Sequence, residues 1–191
     1  MRIVAGKHRG RNLRAPEGRD VRPTADRARQ TLFDMLSHRR LEDDGTFDFE
    51  GARVCDVFCG TGALGLEALS RGATHAVFID SDRKALDAAR ENARSLGEDA
   101  HVTFLQIDAT RPPRSDAPCS LVFLDPPYGS ALGGKALEAL AEKNWLAARA
   151  IAVLELGAKE DFHAPEKFEL VAERRVGAAK LVILRHASDS A

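Results

Sequence analysis

The tetrapeptide Asp125-Pro126-Pro127-Tyr128 combines an acceptor, two stiff residues and an aromatic face. Consecutive prolines remove two backbone donors and restrict the chain. The Asp125 carboxylate and the Pro126 carbonyl can then accept from one exocyclic amine. Pro127 holds the turn, and Tyr128 offers a flat surface to an unstacked base. Hydrogen bonds of that kind favour the more pyramidal, nucleophilic nitrogen of a transition state over the delocalised ground state. A carboxylate is a poor base near neutral pH unless its pKa is raised, so Asp125 is either a proton acceptor or only a hydrogen-bond acceptor. The tetrapeptide does not choose the base. Guanine shows N1–H and N2–H donors side by side, which one carboxylate can accept together, whereas adenine shows a donor beside an acceptor.

A second constellation lies upstream. The apolar run Arg53–Phe58 breaks into Cys59-Gly60-Thr61-Gly62 and then into the helical pattern Ala63–Arg71. Strand, glycine turn and helix in that order make a cofactor cradle. Gly60, Gly62 and Gly65 fit G-x-G-x-x-G, which on its own also suits a nicotinamide dehydrogenase. Asp56 changes the balance, because a carboxylate aimed into the cradle suits an ammonium better than a pyrophosphate. Asp56, Asp80, Asp108 and Asp125 each fall at or just after a predicted strand end, the rim where doubly wound sheets bind ligands. Four carboxylates on one rim call for a ligand rich in donors. S-adenosyl-L-methionine offers an ammonium for Asp56, ribose hydroxyls for Asp80 and an adenine amine for Asp108. Phe58, Gly60, Thr61, Gly62 and Gly65 would line its turn. Asp82, the rival to Asp80, reads better as a helix N-cap.

The elements that must position these residues alternate. Strands are predicted at Arg53–Phe58, His75–Asp80, Val102–Ile107, Leu121–Leu124 and Ile151–Leu156. Helices fall at Ala63–Arg71, at Arg83–Leu96 ended by Gly97, and at Lys135–Lys143. Prolines 112, 113 and 118 forbid a normal helix in the crossover before the fourth strand. Phe168–Val176 and Lys180–Arg185 read as a closing antiparallel hairpin. The expected fold is α/β, a doubly wound Rossmann-like sheet over residues 51–187, and with the carboxylate rim it resembles the class I S-adenosylmethionine-dependent methyltransferases. A small extension over residues 1–40 precedes it: a β-hairpin with a basic tip, then a helix capped by Thr24 with Leu32, Phe33 and Leu36 inside.

Charge separates the two parts. Residues 1–40 hold 11 Lys and Arg against four Asp and Glu, a net of +7; the remainder holds 17 against 25, a net of −8. Ten of those 11 are arginines, which favours phosphate or base recognition. Arg9, Arg11, Arg22, Arg27 and Arg29 are the candidate RNA contacts. The three cysteines form no C-x-x-C pair and read as small buried residues rather than metal ligands. No apolar run approaches a membrane span and no signal-peptide pattern opens the chain, so a cytoplasmic monomer with no metal and no membrane partner is expected.

The order of motifs resembles the RsmD family, the 16S ribosomal RNA guanine-N2 methyltransferases. Arg2-Ile3-Val4-Ala5-Gly6, Arg9-Gly10-Arg11, Arg22-Pro23-Thr24 and Thr31-Leu32-Phe33 look like its opening. Asp56 through Ala73 is similar to its cofactor motif, and Asp80, Asn92 and Asp125–Tyr128 follow in place. The resemblance implies methylation of the exocyclic N2 amine of one guanine in small-subunit ribosomal RNA, free or partly assembled. It also implies an N-terminal extension that helps hold RNA. Three other readings stay open on the residues alone: an adenine-N6 methyltransferase on DNA or RNA, a dehydrogenase, and a non-catalytic RNA-binding assembly factor.

Overall fold

The computed structural model describes residues 1–14, 23–38 and 45–187. Helix α1 covers Pro23–His38. The alternating part follows as β1 (Arg53–Val57), α2 (Ala63–Ser70), β2 (His75–Asp80), α3 (Arg83–Leu96), β3 (Val102–Gln106), β4 (Cys119–Leu124), α4 (Leu132–Glu142) and β5 (Leu146–Gly157). The chain closes with β6 (Phe168–Val176) and β7 (Ala179–His186). One seven-stranded sheet runs β3-β2-β1-β4-β5-β7-β6. Strands β1 to β5 are parallel, and β7 inserts antiparallel between β5 and β6. The chain order reverses between β1 and β4, so the crevice at their carboxyl ends is the place for a ligand.

Side chains alternate across the sheet with the period of two that a strand imposes. Val54, Phe78 and Phe123 enter a core shared with α1, α2 and α3. Cys55, Val57, Val77, Val122 and Leu124 enter the opposite core, under α4. The same alternation turns Asp56 toward α2. All three cysteines are free and buried, as expected of packing residues. Helix α3 begins where Asp82 accepts the Lys84 N–H, and it ends on Gly97 at φ 75°. No helix occupies the proline-rich crossover between β3 and β4.

Several expectations are corrected. Helix α1 already includes Pro23, so Thr24 lies inside it rather than capping it; proline is tolerated in a first turn, where its missing N–H has no intrahelical acceptor. Strand β5 starts five residues earlier than expected. A register shift between Cys119 and Leu121 and a positive φ of 60° at Arg149 interrupt its alternation, which hid its first half from pattern reading. The N-terminal hairpin is reduced to one antiparallel bridge, Arg2 to Asn12. Gly10 N–H donates to the Ile3 carbonyl and Ile3 N–H to Arg11, while Arg9 and Arg11 N–H turn back onto Gly6 and His8. These turns use up the donors that a longer ladder would need. Among the described residues, no helix is long and apolar enough to cross a membrane.

Candidate active site

The glycine turn is shaped by protein groups bonding to one another. Phe58 takes a left-handed φ of 58° directly after β1, which bends the chain out of the sheet. Gly60 N–H donates to Asp80 Oδ2 at 3.1 Å, and Asp82 N–H donates to Asp80 Oδ1 at 2.9 Å. The ends of β1 and β2 are therefore tied together through one carboxylate. Asp56 is 1% exposed, and its Oδ2 accepts the Gly65 N–H at 2.8 Å. It meets the free N–H groups and positive end of α2. Burial raises its pKa well above the usual carboxylate range, against the helix N–H bonds that favour its charge; Asp125 and Asp80 add repulsion. Gly65 permits the contact, since a Cβ there would stand 2.5 Å from the Phe78 ring.

Sequence reasoning gave Glu67, Ser70 and Asn92 no task in this site, yet they hold it. Glu67 is fully buried; its carboxylate accepts the Val4 N–H at 2.7 Å, the Ala5 N–H at 3.0 Å and Arg71 Nε at 2.9 Å. Lys7 N–H donates to the last carbonyl of α2, Ser70, and His8 N–H to Ser70 Oγ. The arm's backbone donors thus end on the cradle helix. Gly6, at φ 77°, allows this approach, because a Cβ would strike the Ser70 carbonyl. Asn92 bonds both backbone groups of Arg14 and donates to the Thr61 carbonyl at 3.0 Å, joining arm, α3 and glycine turn. A signal for Glu67 was present: it is the one charged residue in Ala63–Ser70. Thr61 Oγ1 donates to Met1 Sδ at 3.6 Å, and Asp108 lies exposed beyond β3, bonded to Thr110 N–H and Oγ1. Those bonds hold the Asp108 carboxyl below its ordinary pKa.

The tetrapeptide leaves β4 beside the cradle, with Asp125 N–H donating to the Val57 carbonyl at 3.2 Å. The turn closes on Pro127, whose carbonyl accepts Ser130 N–H and Oγ. Pro126 is buried, and Tyr128 stands 49% exposed. Asp125 keeps an exposed surface, yet protein packed about its carboxyl desolvates it and the Glu155 carboxylate adds repulsion; its pKa is pushed up to about 7. Glu155, on β5, accepts Tyr128 Oη at 2.6 Å. Burial raises Glu155 too, although the Tyr128 bond opposes the rise.

The basic arm divides. Arg9 and Arg27 are exposed, and Arg11 Nη2 donates to the Ser95 carbonyl at 2.7 Å. Arg29, a candidate RNA contact by sequence, is 6% exposed and donates to the Arg2 carbonyl. Its position three and four residues before Leu32 and Phe33 puts it on the buried stripe of α1. Arg2, Arg9, Arg27 and Arg29 line one cavity of about 500 Å³ between the arm and α1. Arg22 lies outside the described residues. The basic tip turns inward: Lys7 and His8 both reach the buried Glu98. Burial alone would raise the Glu98 pKa, but the bonds from Lys7 and His8 lower it.

With this geometry in place, similarity to known proteins is informative. Residues 1–185 match the family described as Conserved hypothetical protein 95. The ribosomal RNA small subunit methyltransferase D of Haemophilus influenzae is 32% identical over 181 residues, 93% of this chain and 89% of that one. The protein of the same name from Escherichia coli K12 is 36% identical over 163 residues, 81% of this chain and 74% of that one. The solved structure of Escherichia coli yhhF superposes with a TM-score of 0.82 at 30% identity, covering 99% of each chain. The strand order, the cradle and this breadth of similarity agree: the chain belongs to the RsmD family and has the fold of a class I methyltransferase.

Proposed function

We propose that this protein transfers a methyl group from S-adenosyl-L-methionine to the exocyclic N2 amine of a guanine in 16S ribosomal RNA, presented as RNA or as a small-subunit particle. The observation that carries the reading is the Asp125–Tyr128 rim directly beside the Asp56–Gly65 cradle at the switch point between β1 and β4. The residues fit the cofactor. Carboxylates stand at the ends of β1 and β2, as an ammonium and a ribose require, and Gly60 and Gly62 keep the turn beside them free of side chains. Asp56, Phe58, Gly60, Thr61, Gly62 and Gly65 would hold its methionine end, Asp80 its ribose and Asp108 its adenine. When bound, its sulfonium supplies an electrophilic methyl group. The chain's own part is positioning. Asp125 and the Pro126 carbonyl orient the amine, and Tyr128 stacks on the base.

Residues 1–40 serve as the RNA-holding extension of the methyltransferase domain at 51–187. Arg9, Arg11, Arg22 and Arg27 contact phosphates, and Arg29 supports the cavity wall from within. The names of the relatives support the ribosomal substrate. The test is nucleoside mass spectrometry of small-subunit RNA and particles treated with the protein and labelled S-adenosylmethionine. Labelled N2-methylguanosine is expected. Labelled N6-methyladenosine would keep fold and cofactor and overturn the base. Arginine contacts to phosphate further predict a steep salt dependence of RNA binding that flattens on Arg9 and Arg27 substitution.

A further inference from the structure

A second carboxylate stands beside Asp125. Leu124 of β4 pairs in register with Leu154 of β5, so Asp125, the first residue past β4, comes out next to Glu155, which stays in the sheet paired with Leu181 of β7. Glu155 bonds the Tyr128 hydroxyl and, with Pro126, Pro127, Tyr128 and Phe162, lines a cavity of about 310 Å³. One residue therefore touches the aromatic face of the tetrapeptide and neighbours its acceptor. Adjacent carboxyls resist double ionisation and take up a proton as a pair.

We propose that Glu155 is a positioning residue for amine methylation: it pairs with Asp125 so that the two carboxyls together receive the proton the amine gives up, and it fixes the face of Tyr128 on which the base stacks. The inference rests on the amine-methylation reading above. In the step, the nitrogen lone pair forms the N–CH3 bond, and the S–CH3 bond breaks with its electron pair kept by sulfur. The nitrogen, now cationic, releases one proton to Asp125. Asp125 in open solvent would be a weak base; burial first and the neighbouring Glu155 charge second make it a matched one, at a pKa of about 7. Other ionisable groups face the pair. Asp56 on β1 lies near enough for Asp125 to add to the rise in the Asp56 pKa. Glu160 lies in the loop after β5, where it accepts Gly129 and Gly157 N–H. Asp161 and His163 line the same cavity. Lys180 of β7 donates to the Glu160 carbonyl.

Two readouts test this. The first is the pH profile of methyl transfer to small-subunit RNA by the wild type and by Glu155→Gln. The second is a carbon-13 NMR titration of labelled Asp and Glu carboxyls, with neither substrate nor cofactor present. The wild-type rate should rise with pH through a limb near 7. Glutamine removes the repelling charge, so both the limb and the Asp125 titration should move to lower pH, by on the order of one unit. An Asp125 signal that titrates at the same pH in both proteins overturns the proposal. If the variant does not fold, the wild-type spectra decide. In a pair, the Asp125 and Glu155 signals each report two steps; independent single steps overturn the proposal. A wild type that methylates no RNA overturns the reading beneath it, while the titration still decides the pairing.

Discussion

The cradle and the rim leave adjacent strands at the same level of the sheet, and they give their carboxyls different partners. In the cradle, Asp56 faces the amides of α2, Asp80 bonds Gly60 and Asp82, and Glu67 takes the backbone of the N-terminal arm. Each negative charge there has backbone donors, and the bonds set the shape of the turn. At the rim, Asp125 and Glu155 stand beside one another and the Tyr128 hydroxyl donates to Glu155; burial pushes both carboxyls upward, as it does Asp56. The contrast teaches where function resides. Polar groups bonded to the backbone preorganise the cradle to bind, whereas crowded carboxyls at a solvent-accessible edge are poised to take up a proton. Substitution in the cradle should therefore cost stability together with cofactor binding, and at the rim it should cost turnover while stability holds.

Four changes sharpen or break that division, the largest effect first. Asp125→Asn should lower kcat by about 10²–10⁴-fold, the usual scale of a lost proton acceptor, while the thermal midpoint holds or rises as repulsion is relieved. A midpoint that falls with the activity would erase the contrast. Glu67→Ala strands the Val4 and Ala5 N–H groups and the Arg71 guanidinium; urea denaturation should show a loss of about 3 kcal/mol. Gly65→Ala presses a methyl against Phe78 and should cost about 1–3 kcal/mol, with weaker cofactor binding by calorimetry.

The smallest effect is the pH dependence of the arm's anchor. Lys7 and His8 hold the Glu98 carboxyl below its ordinary pKa despite its burial. Its contribution is complete above the unfolded value and is lost as pH falls through the depressed one. The urea midpoints of wild type and Glu98→Gln should therefore differ at neutral pH and converge on acidification.

Much of this was legible in the residues because it depends on local chemistry. Asp82 and Gly97 mark the ends of α3, the prolines of residues 112–118 exclude a helix, and Asp125–Tyr128 reads as a stiff turn directly after β4. What escaped depends on distance or on broken periodicity. Glu155 meets Tyr128 across 27 residues, and nothing local distinguishes it from a strand-end glutamate. Asn92 reaches Arg14 across 78. The early part of β5 hides behind a bulge, and Arg29 reads as an RNA contact because arginine is expected in solvent, although its helical spacing puts it within.

The most direct measurement is single-turnover methyl transfer to small-subunit RNA by wild type and Asp125→Asn, at matched cofactor occupancy, with the labelled nucleoside identified. The account predicts labelled N2-methylguanosine from the wild type. The folded, cofactor-bound variant should form it at least about 10²-fold more slowly. Equal rates, or a label on any other atom, would contradict it.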